Sequence, residues 1–264
     1  MGSSATKACN YSSHLNSLLA TSYNDCYTIR MRQMIGILGG MGPEATLDLY
    51  RHIINLTPAS RDQDHLRVLI YSNPKIPDRT MAIADGGESP LDALVESARL
   101  LESAGASIIA MPCNASHHYL GRLRAAVGIP VLDMIEETCG ALRKRYPEVR
   151  TAGLLASNGA LQSRLYHRAL EAKGIAVLLP DKPDQSFVQS AIAEVKAGKH
   201  TEETREKLLA AGTRLIQAGA QAIILGCTEI PLIFDSGAFP HYSLNSTMIL
   251  AEAAVNSIQP GFRS

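Results

Sequence analysis

LESAGASIIAMPCN (101–114) and LIQAGAQAIILGCT (215–228) are one segment written twice, and that repeat decides the fold. The two align without a gap: Leu101/Leu215, Ala104/Ala218, Gly105/Gly219, Ala106/Ala220, Ile109/Ile223 and Cys113/Cys227 coincide. Each reads as a helix end, a glycine stop, a short apolar strand and then a cysteine. A second pair lies upstream, GILGG (36–40) and GLLAS (153–157), each at a similar distance before its cysteine. One α/β unit is therefore used twice. Two such halves can face each other across a pseudo-twofold axis, and the axis would set the two thiols on opposite walls of one cleft.

Outward from the repeat, strands and helices alternate. MIGILGG (34–40) reads as a strand, and Pro43 opens a helix that runs up to Pro58. RVLIYSN (67–73) is a strand, NPKIPDRT (73–80) a proline-rich loop, and Ser89-Pro90 starts a helix that stops at Gly105. After Cys113, residues 116–127 read as helix and IPVLDM (129–134) as strand. In the second half TAGLLA (151–156) is a strand and a helix follows to about Lys173. IAVLLP (175–180) is the next strand, with helices over 184–197 and 202–218. AIILGC (222–227) is the strand that delivers Cys227, and a closing helix (245–258) returns to the first half. The pattern predicts an α/β protein of two pseudo-symmetric domains, each a mostly parallel sheet flanked by helices, with the active site in the cleft between them. The expected boundaries are 34–133 plus 243–264 for the first domain and 134–242 for the second.

Composition narrows the classes. Formal net charge is zero over 264 residues, so no broad basic surface is available for nucleic acid or an anionic membrane. No apolar run approaches the roughly 20 residues of a spanning helix. Five cysteines, an odd count, together with no secretory signal fit free thiols in a reducing, cytoplasmic setting. Residues 1–33 are rich in Ser, Thr, Asn and Tyr. They read as an extension outside the catalytic fold, with organelle targeting as the alternative.

Ligands of open parallel sheets bind beyond the carboxyl ends of the strands. Gly39–Pro43, Asn73–Thr80, Cys113–Ser116, Ser157–Asn158 and Cys227–Glu229 all fall there. Cys113 and Cys227 are the catalytic candidates, because opposed thiols suit a proton that leaves one face of a carbon and returns on the other. Arg79 is the candidate partner of a carboxylate. Met41, Asn114, Ala115, Ser157, Asn158, Thr228 and Glu229 complete the expected substrate-binding set. Cys9, Cys26 and Cys139 read as plain small hydrophobes. Gly40-Met-Gly42-Pro-Glu-Ala45 fits a dinucleotide fingerprint, yet no acidic residue closes the second strand, so no nucleotide is expected. Cys113, His117 and His118 have no second cluster to complete a zinc site, so no metal is expected.

At GILGGMGPEAT (36–46), SNPKIPDRT (72–80), MPCNASHH (111–118), MIEET (134–138) and LGCTEIP (225–231), the chain resembles an aspartate racemase of the cofactor-independent aspartate/glutamate racemase superfamily. The resemblance covers about residues 34–258. It implies a homodimer that uses no pyridoxal phosphate, metal or nucleotide and takes a small dicarboxylic amino acid. It implies that one cysteine thiolate removes the α-proton while the other thiol supplies a proton to the opposite face, Cys227 acting on the L-isomer and Cys113 on the D-isomer. Arg79 then matches a carboxylate-binding arginine, and Asn114, Thr228 and Ser157-Asn158 match positions that hold the ammonium or α-carboxylate. Two departures stand out. Ala115 replaces a common threonine, and the expected substrate-binding lysine aligns with Ser186, with Lys182 nearby as a substitute. Other reactions of the superfamily (glutamate or hydantoin racemisation, maleate isomerisation) and a non-catalytic amino-acid sensor are the alternatives.

Overall fold

All strand pairs named in the computed structural model are parallel, so every connection between neighbours is a crossover. The structure describes residues 33–234, 239 and 242–259; all but the last residue of the extension, with Cys9 and Cys26, lies outside them. From Met34 onward the chain is one compact unit. The first sheet contains β1 (Met34–Gly39), β2 (Arg67–Ser72) and β3 (Ile108–Ala110) in the order β2-β1-β3. The second contains β4 (Thr151–Leu155), β5 (Ala176–Leu178), β6 (Ala222–Leu225) and β7 (Tyr242–Asn245) in the order β5-β4-β6-β7. The repeated segments are β3 and β6, and each lies beside the first strand of its own sheet.

The ten α-helices among the described residues are α1 (Pro43–Leu56), α2 (Arg79–Ala84), α3 (Leu91–Ser103), α4 (Leu120–Arg124), α5 (Met134–Arg145), α6 (Asn158–Gln162), α7 (Leu165–Glu171), α8 (Lys182–Lys196), α9 (Glu202–Gln217) and α10 (Ser246–Ile258). The internal symmetry extends beyond the repeat. A single parallel bridge, Ile109 to Val131, stands where β7 stands beside β6. A helix capped by a short acid or amide side chain follows in each case: Asp133 accepts from Ile135 and Glu136 N–H, and Asn245 accepts from Thr247 and Met248 N–H. These two helices exchange partners. α5 leaves the first sheet to pack against α7, while α10 leaves the second and packs against α1. Leu250, Ala251, Ala254 and Val255 of α10 thus share one apolar cluster with Ile35, Ile37, Leu49 and Ile53.

Several expected boundaries are corrected. The region 116–127 is a short 3-10 turn (Ala115–Tyr119) followed by the five-residue α4, because Gly121 and the apolar pair Leu120/Leu123 offer too little for a longer helix. IPVLDM contributes only the bridge at Val131. The loop 73–80 gives way to α2 at Arg79, since Asp78 caps that helix by accepting from Met81 N–H at 2.9 Å. The helix expected to reach Lys173 is two, broken at Arg164 with φ 53°. β6 ends at Leu225, and Cys227 lies two residues past it. β7 and α5 are elements that the periodicity did not assign.

Candidate active site

The strand ends of both sheets converge on one cavity of about 20 Å³, lined by Met41, Asp78, Arg79, Thr80, Cys113, Asn114, Ala115, Ser157, Lys196, Gly226, Cys227 and Glu229. That volume holds about one water molecule. A chamber of about 360 Å³ adjoins it and shares Met41, Asp78, Arg79, Lys196 and Glu229. Cys113 follows β3 and Cys227 follows β6, so the repeat delivers both thiols to the same wall-to-wall space. Both are buried and free of disulfides.

Arg79 is the first residue of α2 and is buried. Its guanidinium donates to the carbonyls of Ile76 at 3.2 Å and Pro77 at 3.1 Å, and reaches that of Met41 at 3.5 Å. The proline-rich loop therefore turns two carbonyls inward, the turn between β1 and α1 adds a third, and together they fix the fork. Burial works against its charge, but Cys113, Asp78 and Glu229 overcome that and hold it firmly protonated. Its Nε is buried without a partner.

On the other wall, the Cys227 thiol donates to Glu229 Oε2 at 3.0 Å, and Thr228 Oγ1 donates to the same oxygen at 3.2 Å. Glu229 Oε1 is buried and unpartnered. A Cβ at Gly42 would lie 3.4 Å from that oxygen, so glycine there keeps the approach open. Burial and then the Glu229 carboxylate push the Cys227 thiol well above its ordinary value, with Lys196 pulling the other way. Lys196 stands at the mouth. The residue as a whole is exposed, yet burial still counts against its ammonium, and Glu229 and the two thiols raise it regardless.

The remaining expected residues divide. Met41, Asn114, Ala115 and Ser157 line the cavity. The Asn114 amide is committed at both ends, accepting from Tyr166 Oη at 2.7 Å and donating to Ser246 Oγ at 3.2 Å. Ser157 caps α6 by accepting from Ala160 N–H. Asn158 and Thr228 stand behind the wall: Asn158 Oδ1 accepts from Gln185, and Thr228 braces Glu229. Ser186 is exposed, donates to the Lys182 carbonyl and lines neither cavity, and Lys182 lines neither as well. The lysine that does line both cavities is Lys196, in the last turn of α8. His117 is committed to the fold: it accepts from Met134 N–H at Nε2, so Nδ1 carries the proton donated to the Cys113 carbonyl. Burial keeps this ring neutral.

Two buried thiols, two cations and one half-free carboxylate thus surround one water-sized cavity. Residues 38–254 match the model of the Asp/Glu/Hydantoin racemase family, and the chain belongs to that family, whose members act on small amino-acid substrates. Its relatives include the broad specificity amino-acid racemase RacX of Bacillus subtilis (strain 168), 31% identical over 235 residues, or 85% of this chain and 97% of the relative. The fold superposes on the Picrophilus torridus aspartate racemase with a TM-score of 0.77 at 31% identity, covering 86% of this chain and 94% of that one. The glutamate racemase of Francisella tularensis subsp. tularensis SCHU S4, solved with D-glutamate, has a TM-score of 0.63 at 16% identity over 84% of this chain and 79% of that one, a likeness of fold alone.

Proposed function

We propose that the chain interconverts L- and D-aspartate by two-base proton transfer between Cys113 and Cys227. The observation that carries this reading is that the two repeat-equivalent thiols line one cavity together with Arg79 and Lys196. Aspartate carries one positive and two negative charges. The cleft offers the complement: Arg79 and Lys196 for two carboxylates, and the unpartnered Glu229 Oε1 for the ammonium. Asp78, the other acid in the wall, is engaged as a helix cap.

In this mechanism the thiolate on one face takes the α-proton. The C–H bond breaks, an S–H bond forms, and the electron pair moves into the α-carboxylate, which becomes a dianion. The thiol on the other face then gives its proton to Cα. Charged and backbone donors around the carboxylate oppose the dianion, each worth about 3–4 kcal/mol when preorganised in a dry site. A cavity this small admits an amino acid only when the halves part, so closure over the substrate is part of the cycle.

A racemase of wider side-chain scope is the second reading. The chamber of about 360 Å³ beside the catalytic cavity supports it, as does the broad specificity in the name of the Bacillus relative. The test is incubation of the enzyme with a panel of L-amino acids in deuterium oxide, following α-hydrogen exchange and optical rotation. Aspartate should exchange fastest and lose its rotation. Faster turnover of longer side chains would select the second reading, and no exchange on any substrate would overturn both.

A further inference from the structure

The two thiols differ in what faces them. Cys227 donates to the Glu229 carboxylate at 3.0 Å, and a carboxylate can accept only if the sulfur keeps its proton. Thr228 braces the accepting oxygen. Among the described residues no carboxylate accepts a hydrogen bond from Cys113, and the buried Arg79 guanidinium faces it. Lys196 faces both sulfurs and Glu229, so it does not discriminate between the thiols. Asp78 lies in the same wall but caps α2, and His117 meets Cys113 only through the backbone carbonyl, as a neutral ring.

We infer that Glu229 sets which sulfur is armed in the free enzyme: it holds Cys227 as the thiol, so that Cys113, beside Arg79, is the sulfur left to act as the base. This rests on the two-base reading above and adds a direction to it. The resting enzyme is armed at Cys113, the sulfur assigned to the D-isomer. The same carboxylate also relieves the bias. When a substrate ammonium occupies Glu229 Oε1, the charge that penalises a Cys227 thiolate is neutralised, and the two thiols come closer in energy. A reaction that must run both ways needs that balance. After Cys113 takes the α-proton and Cys227 gives its own to the opposite face, the enzyme holds a Cys113 thiol and a Cys227 thiolate. Release of the product re-exposes the Glu229 charge. Cys227 then regains a proton from solvent and Cys113 loses one, which restores the resting form.

Iodoacetamide reads this state, because it alkylates thiolates and expels iodide. The two residues are comparably sheltered, Cys113 at 6% exposure and Cys227 at 8%, so burial does not favour Cys113. Ligand-free full-length enzyme, labelled briefly at neutral pH and mapped by peptide mass, should carry label at Cys113 on the order of tenfold faster than at Cys227. Glu229→Gln keeps the shape but not the charge, and should bring the two rates within about threefold by speeding Cys227. It should also draw the alkaline limb of kcat/KM, which reports free-enzyme groups, down towards neutrality. Cys139 guards against misfolding: it is fully buried, its thiol is pushed up to about 12 by burial, and it labels only when the fold opens. If Cys139 labels in the variant, the wild-type ratio decides alone. Faster labelling of Cys227 in the wild type, or a folded Glu229→Gln enzyme with an unchanged ratio and limb, would overturn the inference. Racemisation surviving in Cys113→Ala would instead overturn the two-base reading beneath it.

Discussion

On the two-base mechanism proposed above, removing one sulfur separates the two faces of the reaction. Cys113→Ala and Cys227→Ala should each lower racemisation by roughly 10²–10⁴-fold, the worth of a positioned acid or base. Exchange should outlive inversion: Cys113→Ala should still wash solvent deuterium into L-aspartate without loss of rotation, and Cys227→Ala should do so with D-aspartate. Polarimetry beside NMR checks this, and inversion by either variant at the native rate would remove its cysteine from the mechanism. The cations act on the carboxylates. Of Arg79→Ala and Lys196→Ala, the one that removes the partner of the side-chain carboxylate should weaken kcat/KM for aspartate more than for alanine, by the roughly 1.5–3 kcal/mol of a charge-assisted bond, and the other should weaken both substrates alike. Ser186→Lys should change nothing, because that side chain is turned to the Lys182 carbonyl. The thiols and Arg79 were legible in the sequence because each follows a strand end or a proline-rich loop. Lys196 was not. It closes a helix that starts beside β4, where Gln185 donates to the Ala156 carbonyl at 3.0 Å, and ends at the cleft mouth. Periodicity predicts such a helix but not that it spans the strand ends.

The elements that carry the site are joined by turns with little freedom. Gly40, between β1 and α1, has φ 94°, and a Cβ there would lie 2.3 Å from the Asn73 backbone carbonyl carbon. Neither the strained dihedral nor the contact can relax without parting β1 from the segment that follows β2. Gly40→Ala should therefore cost about 1–3 kcal/mol, read as a lower melting temperature, and should misplace Met41, whose carbonyl meets Arg79. An unchanged melting temperature would show that this turn yields easily. The strands flanking the repeat were legible because buried parallel strands are short apolar runs between glycine and proline signals. The short pieces were not. Val131 pairs through one bridge, and α6 and α7 are divided at Arg164, so tertiary contacts rather than local pattern set those boundaries.

At the scale of the molecule, the two halves meet where α2 of one abuts α6 of the other, and on the proposed mechanism catalysis depends on how closely they do so. Twofold use of one unit was visible in the repeat. The return of the closing helix, α10, to the first half was among the expectations; α5, the helix that makes the reverse crossing, was not assigned, because the reading of 129–134 as a strand left no helix start at Met134. The contact itself turns on Gly159: a Cβ there would lie 2.7 Å from Thr80 Cα, a backbone atom that cannot rotate away. Gly159→Ala is thus a wedge between the halves, placed one residue from Arg79. Overpacking of this kind costs about 1–3 kcal/mol, which a chain of this size with exchanged helices should survive folded. The wedge should instead hold the cleft ajar and draw the guanidinium away from Cys113. A displacement of about 1 Å in a positioned group can cost on the order of 10²-fold in rate. Gly159→Ala should therefore lose kcat/KM for aspartate by about that factor while Cys113 and Cys227 label faster with iodoacetamide, since an open cavity no longer shelters them. Retained activity together with native labelling rates would mean that α2 and α6 can separate without moving the site, and that closure is set elsewhere in the fold.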